Sequence, residues 1–343
     1  MKKNIKINRL QLFLIILMII LLEIFIIVKF SNDINQNFKI LYETIFKKNN
    51  LDEEILNNEI LMGITDVTGE GIIIKILDGK DLIHHEDLII LLDELKNAGS
   101  QAISVNDIRI TNQSYLYCDG SVILIDGEKI GNPFTVKAIG NIDTIYGALT
   151  RNKGYLSVLK KDGLEIEIEK SESIEILKTN NSKLLNYANN KTKIGKLKTS
   201  NQIIGKSKMQ GQGLKIVVYE DNSKLTAVSF LQIINDLRVG GAKAISINEN
   251  RITNLTDIMD ISDTYVLINS VPISAPYIIK AIGNQKDLED NLNYNNSYLN
   301  KIRNKSNTVE IYESNILSID KYEHKRDKNK MNFEYVNNIN HIN

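Results

Sequence analysis

Four side chains have the types and spacing to hold a small anion: Asn106, Arg109, Asn248 and Arg251. An asparagine amide offers donor and acceptor together, and a guanidinium offers a planar fork of donors suited to carboxylate or phosphate. They lie in Gly99–Asn112 (GSQAISVNDIRITN) and Gly241–Asn254 (GAKAISINENRITN), where a strand is expected to end. Strand ends of βαβ units often receive ligands. A phosphate, a carboxylate or a glycan would suit these groups. The same residues also have an architectural use, because asparagine tolerates turn conformations and arginine can tie a loop to a neighbouring carboxylate or carbonyl. That both stretches carry the pair favours architecture, since a twin domain rarely needs two identical sites.

Other candidates for chemistry are weaker. Gly69-Glu70-Gly71 and Gly211-Gln212-Gly213 precede a strand, whereas phosphate-cradling glycines follow a strand and open a helix, so a structural turn is expected. His84 and His85 stand before a helix in one stretch only, with no further ligands at metal-binding spacing. His324 and His341 fall in the tail. The single cysteine, Cys118, precludes an intrachain disulfide and has no His or Asn partner by position, which suits a buried strand thiol. No acid pair, Ser-His-Asp set or zinc motif stands out. No cofactor, metal or enzymatic activity is expected.

The elements that position these residues occur twice. Nine of fourteen positions are identical between the two stretches, at a constant offset of 142 residues, so the chain holds two copies of one domain. Gly71–Leu77 alternates as a strand with one apolar face (Ile72, Ile74, Ile76) and one mixed face (Ile73, Lys75, Leu77), matched by Leu214, Ile216 and Val218 and by Lys215, Val217 and Tyr219. A helix follows, its stripe Leu88, Leu91, Leu92 and Leu95 repeated as Phe230, Ile233, Ile234 and Leu237. Asp87 suits its N-terminus, and Gly99 and Gly241 suit its end. The AISV/AISI strand completes a β–α–β unit with a right-handed parallel crossover. Asp119-Gly120 and Asp126-Gly127 signal hairpins, and in the second copy Ser262-Asp263 and Asn269-Ser270 replace those Asp-Gly signals. Phe134–Ile139 and Tyr277–Ile282, each led by proline, are further strands. Helical regions at Asp143–Lys161 and Lys286–Lys305 and last strands at Leu164–Ile168 and Val309–Tyr312 close the copies. Each copy is expected as a two-layer α/β sandwich: a mixed sheet with helices on one face, similar to a ferredoxin-like plait with an added hairpin.

The remaining chain sets location. Residues 1–9 are basic, and Leu10–Val28 is apolar with a single charge, Glu23. A helix of that length covers about 28 Å, enough for a bilayer core. No small-x-small cleavage site follows, which favours an uncleaved signal-anchor over a signal peptide. The basic N-terminus places the bulk of the chain outside the cell membrane. Residues 29–61 form a helical stalk whose stripe Ile34, Phe38, Leu41 and Ile45 suits a short coiled coil and self-association. The copies are expected at 62–178 and 207–320, joined by a mobile linker at 179–206 with one helical turn near Leu184–Tyr187, and followed by a disordered tail at 321–343. Basic and acidic residues both number 42, so no net positive charge favours nucleic acid.

On these motifs, with the Pro133–Gly140 and Pro276–Gly283 segments, the chain resembles the bacterial family called domain of unknown function 881. The resemblance runs from Met62 to about Asp320. It implies an N-terminal membrane helix, a coiled segment and a role in the cell envelope, since family genes often lie near division and sporulation genes. It implies envelope, division or sporulation proteins as partners. A single copy is common in the family, and this chain has two.

Overall fold

The computed structural model describes Met18, Lys29 and residues 51–322, apart from 79–81, 153, 190–191, 262–264, 295–296 and 306. Apart from Met18 and Lys29, the expected membrane helix and the stalk stripe lie outside the described residues, as does the tail beyond 322. Among the described residues no helix is long and apolar enough to cross a membrane.

The first copy begins with a helix over 51–62 (α1), then β1 (Val67–Leu77), α2 (His85–Asn97), β2 (Ala102–Val105) and β3 (Ile108–Arg109). A meander follows: β4 (Leu116–Asp119), β5 (Val122–Ile125) and β6 (Glu128–Ile130). The copy closes with β7 (Phe134–Ile139), α3 (Ile142–Thr150), α4 (Tyr155–Lys161) and β8 (Glu165–Ile176). Between the copies lie α5 (Ser182–Leu185), a 3-10 turn (Asn186–Asn189) and α6 (Lys193–Ile203). The second copy runs β9 (Met209–Val218), α7 (Ala227–Val239), β10 (Ala244–Ile247), β11 (Asn250–Ile252), β12 (Ile258–Ile261), β13 (Tyr265–Ile268), β14 (Val271–Ile273), β15 (Tyr277–Ile282), α8 (Gln285–Leu292), α9 (Tyr298–Asn304) and β16 (Val309–Ile319).

Each copy has a five-stranded sheet, β3-β2-β7-β1-β8 and β11-β10-β15-β9-β16, and a separate three-stranded one. The expected mixed sheet is corrected here: every strand pair hydrogen-bonded among the described residues is antiparallel. β1 and β2 do run parallel, as the β–α–β unit requires, but β7 is inserted between them and pairs with both. The expected added hairpin is a three-stranded meander in both copies. The second copy keeps it without Asp-Gly, because Asn269 and Ser270 take φ of 53° and 62°, close to Asp126 and Gly127 at 53° and 86°.

The main core of each copy lies between the sheet and its helices. In the first, Ile72, Ile74 and Ile76 of β1 meet Leu88, Leu91, Leu92 and Leu95 of α2. The other face is not bare, contrary to the expected one-sided layer. Ile60 of α1 packs with Val67, Ala102, Ile139, Ile174 and Ile176, so a helix covers part of that face. The Gly-x-Gly motifs lie inside β1 and β9 rather than in turns before them. A Cβ on Gly71 would stand 2.0 Å from the Ala138 carbonyl oxygen, and one on Gly213 1.9 Å from that of Ala281. Glycine is there because two backbones touch.

The stretch expected as a mobile linker is largely helical. Asn181 and Thr192 cap α5 and α6 with their side chains. α6 buries a polar residue, Ser200, rather than an apolar stripe, which left no periodic signal to read. The single helical regions expected at 143–161 and 286–305 are each broken in two, and α9 starts from a Ser297 cap.

Candidate functional site

The signature residues occupy the β2–β3 and β10–β11 hairpins. Asn106 and Asp107 have φ of 46° and 64°, and Asn248 and Glu249 43° and 64°. Two successive left-handed residues make a type I′ turn, which asparagine tolerates. Each asparagine side chain then bonds backbone. Asn106 Oδ1 accepts from the Thr135 N–H at 2.8 Å, and its Nδ2 donates to the carbonyls of Gly131 (2.8 Å) and Pro133 (3.3 Å). Asn248 Oδ1 accepts from the Ile278 N–H at 2.7 Å, and its Nδ2 donates to the Ser274 carbonyl at 2.9 Å.

Arg109 and Arg251 are 3% and 2% exposed. Both reach the end of the helix that leads their own copy. Arg109 Nη2 donates to the Ile60 carbonyl at 3.2 Å, and Arg251 Nη2 to the Gln202 carbonyl at 3.0 Å. α1 ends in a Schellman turn, with Gly63 (φ 75°) donating to Ile60 and Ile64 to Glu59. Gly205 (φ 85°) repeats the bond to Gln202. Burial lowers both guanidinium pKa values to about 10, so both stay charged at neutral pH. The exposed carboxylate of Asp66 supports Arg109, and its counterpart in the second copy is Lys208. Arg109 Nη1, Arg251 Nη1 and the buried Ser104 and Ser246 hydroxyls have no hydrogen-bond partner among the described residues.

The last residue of the signature crosses between copies. Asn112 Nδ2 donates to the Ile203 carbonyl at 3.0 Å, and Asn254 Nδ2 to the Leu61 carbonyl at 2.9 Å. Each leading helix is thus held at its C-terminal carbonyls by the arginine of its own copy and the asparagine of the other. The two helices also touch directly. Fully buried Asn58 donates to Ser200 Oγ and Asn201 Oδ1, both at 2.8 Å, and Ser200 is its counterpart at the repeat offset. Bonds exchanged between equivalent residues are the mark of a two-fold relation, here between two halves of one chain.

Polar groups not singled out in the sequence recur on α2 and α7. Glu94 and Asp236, at the repeat offset, accept from the first N–H of α4 (Tyr155, 3.0 Å) and of α9 (Tyr298, 2.6 Å). Burial pushes the Asp236 carboxyl up to about 6. Asn235 bonds Leu116 of the other copy. Between α2 and α7 a cavity of about 40 Å³ is lined by Leu92, Asp93, Lys96, Ile234, Asn235 and Arg238 among others. An acidic residue or amide recurring at one offset beside an apolar stripe is the signal that could have exposed these positions.

The expectation that Cys118 lacks a histidine neighbour is corrected. Its Sγ lies 3.2 Å from His85 Nδ1, which also stands 2.9 Å from Glu86 Oε2. His85 holds the Glu86 carboxyl down at about 2, and Lys301 of the second copy, 3.7 Å away, acts in the same direction. Burial pushes the Cys118 thiol pKa up, away from the thiolate a nucleophile needs. Asp260, its counterpart, accepts from the Ala227 N–H at the start of α7. His84 is exposed, and its backbone N–H donates to Asp87 at 2.7 Å. Among the described residues no cluster of His, Cys, Asp or Glu is arranged to hold a metal ion.

A duplicated α/β unit, its halves locked through a shared Arg-Ile-Thr-Asn signature, is the class of protein this defines. The chain belongs to the family described as bacterial protein of unknown function (DUF881), which it matches at residues 54–189 and 196–332. It is similar to UPF0749 protein YlxW of Bacillus subtilis (strain 168), 29% identical over 143 residues, covering 38% of this chain and 62% of that one. UPF0749 protein YlxX of the same organism is 27% identical over 165 residues, covering 44% and 70%. UPF0749 protein Rv1825 of Mycobacterium tuberculosis is 25% identical over 133 residues, covering 38% and 46%. The matched part thus spans about half to two thirds of these relatives. A solved structure titled as an uncharacterized conserved protein from Mycobacterium tuberculosis aligns at 23% identity over 36% of this chain and 90% of its own, with a TM-score of 0.35.

Proposed function

We propose that this protein is a membrane-anchored, extracytoplasmic, non-enzymatic scaffold whose paired domains bind a protein partner in cell-envelope assembly, division or sporulation. The observation that carries this reading is where the signature's hydrogen bonds go. Asn106, Arg109, Asn248 and Arg251 all bond backbone groups of their own copy, and Asn112 and Asn254 bond backbone of the other copy, so the signature serves to brace and join the halves instead of presenting a pocket. The two copies follow the ferredoxin-like plait in having two strands parallel across an inserted third. The apolar segment at 10–28 with its basic flank supports the anchor.

The test is topology, followed by capture. With a tag after Asn343, protease added to intact protoplasts should digest the tag while a cytosolic control survives. Crosslinking in living cells should then trap an envelope protein. A tag that survives until lysis contradicts the reading.

One observation favours a second reading, a small-ligand site for phosphate, carboxylate or glycan. The buried Arg109 and Arg251 Nη1 atoms and the Ser104 and Ser246 hydroxyls keep unused hydrogen-bonding capacity in both copies. Calorimetric titration with phosphate, acetate and a soluble glycan distinguishes it: saturable heat that Arg109→Met removes would support the ligand reading over the scaffold.

A further inference from the structure

The two copies meet through equivalent positions that carry different chemistry. Asn235 on α7 is 5% exposed and reads both backbone groups of Leu116 in the other copy. The Leu116 N–H donates to Asn235 Oδ1 at 2.9 Å, and Asn235 Nδ2 donates to the Leu116 carbonyl at 2.7 Å. At the repeat offset stand Asp93 on α2, 8% exposed, and Ile258 in β12. The Ile258 N–H donates to Asp93, reproducing half of the contact. The other half needs a hydrogen on the side chain. An amide always carries one, whereas a carboxyl carries one only when protonated.

We propose that Asp93 is a proton-operated clasp between the two copies: protonated, it closes on Ile258 the two-point bond that Asn235 makes permanently on Leu116, and ionised, it opens the donor half. Asp93 shares the wall of the inter-copy cavity with Asn235, Lys96 and Arg238, so the change is felt at the contact itself. The groups facing it are Lys96 and Asn97 on its own helix, and Asp257 and the Ile258 N–H on the other copy. Asn97 Nδ2 donates to Asp93 Oδ2 at 2.9 Å, and a carboxyl oxygen that accepts one such bond can still carry a proton. Burial is the largest influence and, with Asp257, pushes the carboxyl up to about 7, against the pull of Lys96, Asn97 and the Ile258 N–H. Lys96 is itself pushed down to about 8 by burial and by Arg238 across the contact, which weakens its hold on the carboxylate. The folded chain therefore binds this proton more tightly than the unfolded chain. The stabilisation it brings is complete below about pH 4 and is lost as pH rises to about 7.

The experiment compares the full chain in detergent with Asp93→Asn and Asn235→Asp, by denaturant midpoint from about pH 4 to about pH 8.5. Difference from wild type cancels the titration of other carboxyls such as Asp236. Asp93→Asn should match wild type at the acid end and exceed it at the alkaline end, with a flatter profile. Asn235→Asp should steepen the profile. An Asp93→Asn profile parallel to wild type, or below it throughout, overturns the proposal. The assigned Asp93 carboxyl carbon shift of the wild-type chain gives a reading that does not depend on a variant folding. It should titrate near neutral pH, and titration in the ordinary range near pH 4 overturns the clasp.

Discussion

The two copies of this chain agree where they are locked together and differ around the lock. Arg109 and Arg251 make the same bond to the same carbonyl of their leading helices, and Asn112 and Asn254 exchange the same bond across the two-fold. Around that frame, Asp93 faces Asn235, Lys96 faces Arg238, and Cys118 and Asp260 each touch the first residue of a helix with different chemistry. Shared residues mark what both halves need to join. The differing ones mark where a duplicated unit became free to diverge, because one copy suffices for any task that is not the joining itself.

The comparison breaks most severely at the backbone. Gly71→Ala and Gly213→Ala each drive a methyl group into a β7 or β15 carbonyl, and each should cost about 4 kcal/mol or prevent folding, as read by denaturant melts. Equal losses would confirm that the close approach of β1 to β7 and of β9 to β15 serves both copies alike.

Arg109→Ala and Arg251→Ala come next, at about 3 kcal/mol each, from a lost helix-end bond and the cavity left behind. Here the copies should separate. Asp66 acts on Arg109, whereas the counterpart position in the second copy is Lys208 and no carboxylate among the described residues supports Arg251, so Arg109→Ala should be the costlier of the two. The reverse order would remove Asp66 from the account.

Asn112→Ala and Asn254→Ala should cost about 1–2 kcal/mol each, since each strands one helix-end carbonyl. Their partners are different carbonyls, so the double variant should show nearly additive loss in the same melts. A loss from Asn112→Ala alone would mean that the exchange is one-sided.

Much of this frame could be read from residues alone. The constant offset identified two copies, and the Leu88–Leu95 stripe and the alternation of Gly71–Leu77 placed α2 and β1 near their true positions. The architectural use of the arginines was legible as an alternative, but its target was not. α6 joins the fold through Ser200 and its bond from Asn58 rather than through an apolar stripe, so nothing in hydropathy marks it. The insertion of β7 between β1 and β2 is likewise invisible locally, because parallel direction follows from the crossover whereas adjacency is decided by the whole sheet. His85 and Cys118 are 33 positions apart and meet only because β4 lies beside the start of α2.

The central claim is that the signature makes the two copies one cooperative body, and the chain offers a direct test because it contains no tryptophan. Tyr146 of the first copy stacks on Lys170 at 4.4 Å, and Tyr312 of the second on Lys215 at 5.9 Å. Tyr146→Trp and Tyr312→Trp, made separately, give each copy its own fluorescent reporter. The account predicts coincident denaturant transitions from both reporters, and the same shift in both when Asn112 and Asn254 are replaced by alanine. Two separate midpoints in the otherwise unaltered chain, each blind to those replacements, would contradict it.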